Sequence, residues 1–486
     1  MQTWIRHLGL ATALTATALA AQAVTLASAS DALGADRVES LSLQGAGRWF
    51  QFGQAPAPGL PWPQFDVSNY SADIHFAAPS ARVQISRLQT IEEGRWRPAS
   101  VLQKVDQYVN GDKAWNVGVA PAASTATWQP AAVEERAAEV WSTPQGFLKA
   151  AKANQAVSRP IPGGIELSFT LAGKYRYVGE VNEANEVVRV RTWIDNPVTG
   201  DTEVETAFAA YRDQGGLRFP SHIVRSQGGF RVLDITISSV KANATAPLTV
   251  PDGLAATPAP QVAVSSSKLA EGVYYLTGGT HHSVAIDQRD HVVLVEAPLN
   301  EARSNAVIAK VKELIPGKPI RFLVNTHVHF DHSGGLRTLV DEGATIVTHK
   351  DNVAYYQHAW QAPRKINPDR LATSGKAARF ATFTQKHVLS DGQRRIEVHN
   401  IAGSGHNDAF ALVYLPAEKI LIEADAYTPL APNAAPPASV NPYALNLLEN
   451  VEELKLDVDQ IAALHGPGVV KLADLKTFVG RKVAAQ

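Results

Sequence analysis

The chain has 486 residues, more than one ordinary hydrophobic core accommodates, so at least two domains are expected. Its 45 Lys and Arg residues and 46 Asp and Glu residues give a net charge of -1, which argues against the broad basic surface of a nucleic-acid-binding protein. The chain has no cysteine, which excludes disulfides, thiolate nucleophiles and metal sites built on sulfur. Any metal ion must therefore be held by histidine and carboxylate ligands.

The first 29 residues have the pattern of an export signal. Arg6 and His7 form a short basic start, and an uncharged run rich in Leu, Ala and Thr follows. Small residues then recur in cleavage spacing, ending at Ala29. A membrane anchor is the alternative, but the run lacks a leucine-rich centre. We therefore predict that residues 1–29 are a cleaved signal peptide and that the mature protein is periplasmic or secreted, without a stable membrane anchor.

Residues 30–245 are predicted to form a mainly antiparallel β domain. Val188 and Val190 alternate with arginines, a period typical of strands with one buried face. Pro130 and Pro144 stand where helices begin and predict a short helical pair within this domain. The order of elements resembles the curved-sheet periplasmic lipoprotein carriers. That resemblance implies a carrier of lipid or another apolar ligand.

Residues 246–265 are rich in proline and small residues and predict a semi-rigid linker between two domains. In residues 266–486, strands and helices alternate. The apolar run Val292–Val295 predicts a strand covered on both faces, helical spacing follows over 302–314, and a second buried strand comes at 322–324. This order predicts a layered α/β domain after the β-rich one, so the chain as a whole belongs to the α+β and α/β classes.

Potential metal ligands follow the predicted strands of the second half. Four lie within six residues, and crowding them is costly unless a cation neutralises them. Three more come at the carboxyl ends of apolar runs, where α/β sheets place their ligands. These seven residues are His327, His329, Asp331, His332, His406, Asp425 and His465.

The motif His-x-His-x-Asp-His, followed downstream by a single His, Asp and His, resembles the signature of the metallo-β-lactamase superfamily. The resemblance covers about residues 268–480 and implies a four-layered αββα sandwich with a dinuclear zinc site, iron or manganese being the alternative metals. It further implies a first metal held by His327, His329 and His406, a second held by Asp331, His332 and His465, and a bridging Asp425.

The same resemblance implies a metal-dependent hydrolase. Two metal ions that share a water lower its pKa, and the resulting bridging hydroxide attacks a carbonyl. Asp331 would orient this water and move its proton, and Tyr427, two residues past Asp425, is a candidate for stabilising an oxyanion. A bridging aspartate is the pattern of the glyoxalase II-like thioesterases, lactonases and phosphodiesterases. We therefore expect a small-molecule ester, thioester or lactone as substrate, with β-lactam turnover as a side activity.

Two other functions stay open at this point. A mononuclear-iron oxidoreductase of the same fold keeps the histidines, although di-iron electron-transfer members have a glutamate where this chain has His329. The chain is alternatively an apolar-ligand carrier with an appended hydrolase domain. We expect no nucleic-acid partner, and the resemblance also allows a homodimer.

Three residues near the motif carry separate expectations. Glu296 stands where the family has an aspartate at the end of its first core strand, which leaves the hydrogen bonds around the ligands open. His281 and His282 follow a predicted strand, and we expect them on a surface turn rather than in contact with substrate.

Overall fold

The computed structural model describes residues 23–480, apart from residues 121, 257, 259, 433 and 435–438. Residues 1–22, most of the predicted signal peptide, lie outside the described residues. In the part of the chain that the structure describes, no helix is long and apolar enough to cross a membrane.

One antiparallel sheet dominates the N-terminal half, which confirms the predicted β-rich region. Within the described residues its strands are β1 (Ser40–Phe50), β2 (Gln64–His75), β3 (Ser80–Gln89), β4 (Gln103–Asn110), β5 (Lys113–Val117), β6 (Ala126–Trp128), β7 (Val157–Ile161), β8 (Gly164–Leu171), β9 (Tyr175–Asn182), β10 (Val187–Asn196), β11 (Gly200–Gln214), β12 (Leu217–Gln227) and β13 (Phe230–Ala242). Each strand pairs with its neighbour in sequence, except that β1 joins β13 in the middle and β6 and β7 form the two edges. Buried residues alternate along β11, so one face of the sheet packs on a core.

Short helices cover the buried face of this sheet. They are α1 (Leu26–Ala32), a 3₁₀ turn (Ala35–Arg37), a second 3₁₀ turn (Pro130–Ala132), α2 (Val133–Trp141) and α3 (Pro144–Ala153). Ala29 of α1 and Phe147 of α3 belong to the same buried cluster as strand residues. A cavity of about 370 Å³ lies between α2 and the sheet, and its walls include Trp49 and Phe50 but also Glu135 and Arg225. The cavity is therefore not purely apolar.

Two further sheets build the C-terminal half, after one short helix α4 (Asp252–Ala255). The first contains β14 (Ser265–Ala270), β15 (Val273–Thr277), β16 (Ser283–Asp287), β17 (Val292–Val295), β18 (Ile320–Val324), β19 (Thr345–His349) and β20 (Arg379–Phe383). The second contains β21 (Lys386–Ser390), β22 (Arg395–Asn400), β23 (Ala411–Leu415), β24 (Ile420–Glu423), β25 (Gln460–Ala463) and β26 (Val469–Lys471). The helices are α5 (Glu301–Leu314), α6 (Phe330–Ser333), α7 (Leu336–Glu342), α8 (Lys350–Ala359), α9 (Arg370–Ser374), α10 (Pro442–Glu453) and α11 (Leu472–Phe478).

Strand β17 shows why these sheets stack. Val293 and Val295 belong to the core shared with the second sheet, whereas Val292 and Leu294 pack in a separate core with residues of α5 and α7. A strand buried on both faces needs an unbroken apolar run, which the sequence supplies. Strands β17 and β18 run parallel, as do β24 and β25, so their carboxyl ends open at common edges.

Candidate metal centre

The loops that leave these strand ends carry the seven predicted ligands. After β18, the chain stays extended through His329, which is the residue before α6, and Asp331 and His332 lie in that helix. His406 lies in the loop between β22 and β23, Asp425 follows β24, and His465 follows β25.

These side chains form two groups. In each group the candidate ligand atoms lie within 4.8 Å of one another. The structure brings all seven predicted ligands together and adds one histidine. The first group is His327, His329, His406 and Asp425, and the second is His281, Asp331, His332 and His465.

Asp425 joins the two groups. Its Oδ2 is 2.9 Å from His406 Nε2 and 3.4 Å from His327 Nε2. Its Oδ1 is 2.7 Å from His465 Nε2 and 3.0 Å from His332 Nε2. One carboxylate therefore faces histidines of both groups, which is the position a bridging ligand needs.

The imidazole nitrogens and carboxylate oxygens of the two groups are better placed to bind metal ions than to hydrogen-bond to one another. His329 Nδ1 is buried and has no hydrogen-bond partner among the described residues. The Nε2 atoms of His332 and His465 face each other at 2.9 Å. Imidazole nitrogens and carboxylate oxygens are the ligands that zinc takes when no thiolate is present.

Burial keeps two histidines of the first group in the form that a metal requires. It lowers the pKa of His329 to about 4 and that of His327 well below its usual value, with neighbouring histidines adding to the effect. These rings are therefore neutral at physiological pH, as ligands must be.

The carboxylates in the site stay ionised. Burial alone raises the pKa of Asp331 and Asp425, but nearby His332 outweighs it and lowers both. Burial likewise lowers the pKa of His332, but Asp425 and Asp331 reverse this and raise it well above its usual value. The negative charges of Asp425 and Asp331 therefore favour a cation at the second group.

Glu296, at the position where the family has an aspartate, accepts hydrogen bonds from two residues of the motif region. Its Oε2 accepts a hydrogen bond from His332 Nδ1 at 3.0 Å, and its Oε1 accepts one from the Thr326 backbone N–H at 2.6 Å. Because a carboxylate only accepts, His332 Nδ1 carries a hydrogen and Nε2 faces the centre. The longer side chain thus still orients a ligand.

We expect Glu296→Gln to weaken metal binding by the group that contains His332 by about 10- to 100-fold, the usual cost of losing a residue that hydrogen-bonds to a ligand. Glutamine has one oxygen, so either His332 or Thr326 loses its acceptor. The measurement is metal titration against a competing chelator, with the exposed Glu313→Gln as control. Unchanged affinity in Glu296→Gln would show that this hydrogen bond does not matter for the site.

The expectation of a surface turn at His281 and His282 is wrong. Their exposed fractions are 9% and 5%, and His281 Nε2 lies 3.2 Å from Asp331 Oδ2. The buried Arg303 guanidinium donates to the carbonyls of Thr277 and His281 and so holds this loop inward. Arg303 lies on α5, more than twenty residues away in sequence. The residues around His281 alone therefore predict a loop but not that this loop is buried.

Tyr427, the residue predicted to stabilise an oxyanion, is buried. Its backbone N–H donates to Glu423 Oε2 at 3.0 Å. Its ring is 5.0 Å from that of Phe478 and belongs to the core between the sheets. Tyr427 therefore packs in this core, and its role in stabilising an oxyanion stays a prediction.

Gln54 and the Ala55 carbonyl also reach the site, although no sequence motif marks them. Gln54 Nε2 donates to Asp331 Oδ1 at 2.8 Å, and His329 Nε2 lies 2.9 Å from Ala55 O. Both come from the loop between β1 and β2 in the N-terminal half.

Comparisons with known proteins agree on the C-terminal half. Residues 276–457 match the family model described as the metallo-beta-lactamase superfamily. A metallo-beta-lactamase from Pontibacter korlensis is 17% identical, with 45% of this chain and 100% of that chain covered and a TM-score of 0.33. The enzyme from Hirschia baltica is 19% identical, with 45% and 96% covered and a TM-score of 0.33.

A protein of a different class is similar to the same extent. The rubredoxin oxygen:oxidoreductase of the anaerobe Desulfovibrio gigas is 17% identical, with 44% of this chain and 59% of that chain covered and a TM-score of 0.34. A search of curated proteins found no match. Likenesses this distant carry no information on substrate or reaction.

Proposed function

The C-terminal half of the chain belongs to the metallo-β-lactamase superfamily, and from this premise we propose that the protein is a zinc-dependent hydrolase of a small ester, thioester or lactone. The observation that carries the proposal is Asp425, whose two oxygens face two separate histidine groups.

The layering of α5 and α7, two sheets, then α10 and α11 is consistent with a four-layer αββα sandwich. Helices α2 and α3 correspond in position to the expected helical pair.

Two bound zinc ions would supply a water of lowered pKa and polarise a carbonyl oxygen. His327, His329 and His406 would hold one ion, and Asp331, His332 and His465 the other. The Asp331 carboxylate is fixed on one oxygen by Gln54 and on the other by His281, so it is oriented to hold a proton of the attacking water. Burial of the histidines keeps competing bulk water away from the ligand atoms.

Two features favour acyl esters over β-lactams as the main substrates. The chain has no cysteine for a thiolate ligand. Asp425 faces both histidine groups, as expected of the bridging aspartate that the resemblance to ester- and thioester-cleaving members implies. We therefore propose β-lactam turnover only as a side activity.

The test is a panel of ester, thioester, lactone, phosphodiester and β-lactam substrates, assayed with the full chain loaded with zinc and with a chelated control. The proposal expects chelator-sensitive turnover that is highest on one of the three acyl classes, with zinc restoring it. Oxygen uptake that requires iron, with no acyl hydrolysis, would assign the protein to the oxidoreductases instead.

We also propose export, with cleavage before Thr25 rather than after Ala29. Thr25 caps α1, Ser28 Oγ donates to Asn185 Oδ1 at 2.6 Å, and Ala29 is fully buried in the N-terminal core. Cleavage after Ala29 would remove the first turn of this packed helix. N-terminal sequencing of the protein from its native host is expected to give a start at or before Thr25. A mature chain that begins at Ser30 would refute this choice of site.

A further inference from the structure

The loop between β1 and β2 of the N-terminal half lies against the metal centre of the C-terminal half. Gln54 and Asp331, which share a hydrogen bond of 2.8 Å, are 277 positions apart in sequence. His329 lies beside the same loop, since its Nε2 is 2.9 Å from Ala55 O. Two ligands, one from each metal group, therefore depend on a domain outside the hydrolase fold.

These contacts fix the direction of both ligands. A carbonyl oxygen only accepts hydrogen bonds, so His329 Nε2 must carry the hydrogen and Nδ1 presents its lone pair to the first group. Gln54 donates to one oxygen of Asp331 and His281 lies at the other, so this carboxylate cannot rotate freely.

Several contacts hold the loop in this place. The Phe330 N–H donates to Gly53 O at 3.1 Å, and Asn407 Nδ2 donates to Ala55 O at 3.1 Å. The Gly53 φ is +81°, and a Cβ added there would lie 2.7 Å from the Phe330 ring. The glycine is thus required both by its backbone conformation and by the closeness of the two halves. The ring of Phe52 packs edge-on against that of Phe330 at 5.2 Å.

A second loop supports the ligand loop around His406. Arg95 pairs through two hydrogen bonds with Asp408, and Arg97 donates to Tyr443 Oη at 3.3 Å. Gly405, directly before His406, lies so close to the Trp96 carbonyl that a Cβ would meet it at 1.8 Å. The N-terminal half therefore contacts the metal centre from two of its loops.

We propose that Gln54 is a positioning residue of the metal centre, which orients Asp331 for the second metal ion, so that the N-terminal half completes the site instead of serving as a separate carrier. This inference rests on the proposed metal centre, but not on the reaction carried out there. An ordinary packing contact between domains is the competing explanation. The two differ because packing depends on the volume of residue 54, whereas positioning depends on its N–H donor.

Gln54→Met tests this, since methionine keeps most of the volume but has no donor. Gln54→Ala removes both, and Gln51→Ala is the matched control, because Gln51 lies on the same loop and its side chain has no hydrogen-bond partner among the described residues. The measurements are zinc affinity at each site by chelator competition, the visible spectrum of the cobalt-substituted protein, and the Tm of the metal-free chain.

The inference expects both Gln54 variants to bind the second ion about 10- to 100-fold more weakly, with the first ion and the metal-free Tm unchanged and a shifted cobalt spectrum. Gln51→Ala should bind both ions as wild type does. Second-ion affinity within twofold of wild type in Gln54→Met would overturn the inference, as would equal weakening of both ions with a lowered Tm. Because no substrate is used, the result stands whether or not the protein proves to be a hydrolase.

Discussion

Replacing His329 by alanine is expected to remove one metal ion per chain and to lower kcat/KM by more than about 100-fold. Losing even a residue that only hydrogen-bonds to a metal ligand lowers metal affinity or activity by up to about 100-fold. His329 is 2% exposed, and its Nδ1 has no hydrogen-bond partner among the described residues. The Ala55 carbonyl holds its other nitrogen. The ring thus already presents Nδ1 to the other members of the first group.

Metal content by elemental mass spectrometry and turnover of the best substrate measure this effect. His358→Ala is the control, because His358 lies exposed on α8. The Tm of the metal-free variant shows whether the chain still folds. A folded His329→Ala protein with full metal content and full turnover would contradict the assignment of the first group.

Asp425→Asn is the second large effect, and it should fall mainly on the second ion. Asparagine keeps the shape but replaces one ligating oxygen by an amide nitrogen, and it removes the charge that draws cations. The first group keeps three imidazoles, a set that holds zinc without a carboxylate. We expect the second ion to bind at least about 10-fold more weakly, with the first ion retained.

Two-site titration with zinc measures both affinities. Asp112→Asn serves as control, because that side chain is 89% exposed and far from the ligands in the fold. Wild-type binding of both ions, or loss of the first ion alone, would show that Asp425 does not bridge the two groups.

The seven candidate ligands can be singled out from sequence because the chemistry is local. Four of them lie within six residues, and each of the other three follows an apolar strand. The carboxyl ends of strands are where α/β sheets place their ligands, so the pattern marks these residues as candidates. The apolar run Val292–Val295 similarly predicts a strand buried on both faces.

The other site residues depend on contacts that sequence patterns do not show. His281 turns inward because Arg303 holds its loop, and Gln54 reaches Asp331 only when two domains meet. The contact of the Tyr427 ring with Phe478 likewise joins residues about fifty positions apart. Alternation predicts strands in the N-terminal half, but not that β1 pairs with β13, about two hundred residues away.

The most direct test of the account is anomalous X-ray diffraction at the zinc edge from crystals of the zinc-loaded full chain. The account predicts two peaks about 3.5–4 Å apart, one on each side of Asp425. One peak should lie among His327, His329 and His406, and the other among Asp331, His332 and His465. A single peak, or peaks that none of these side chains contacts, would contradict it.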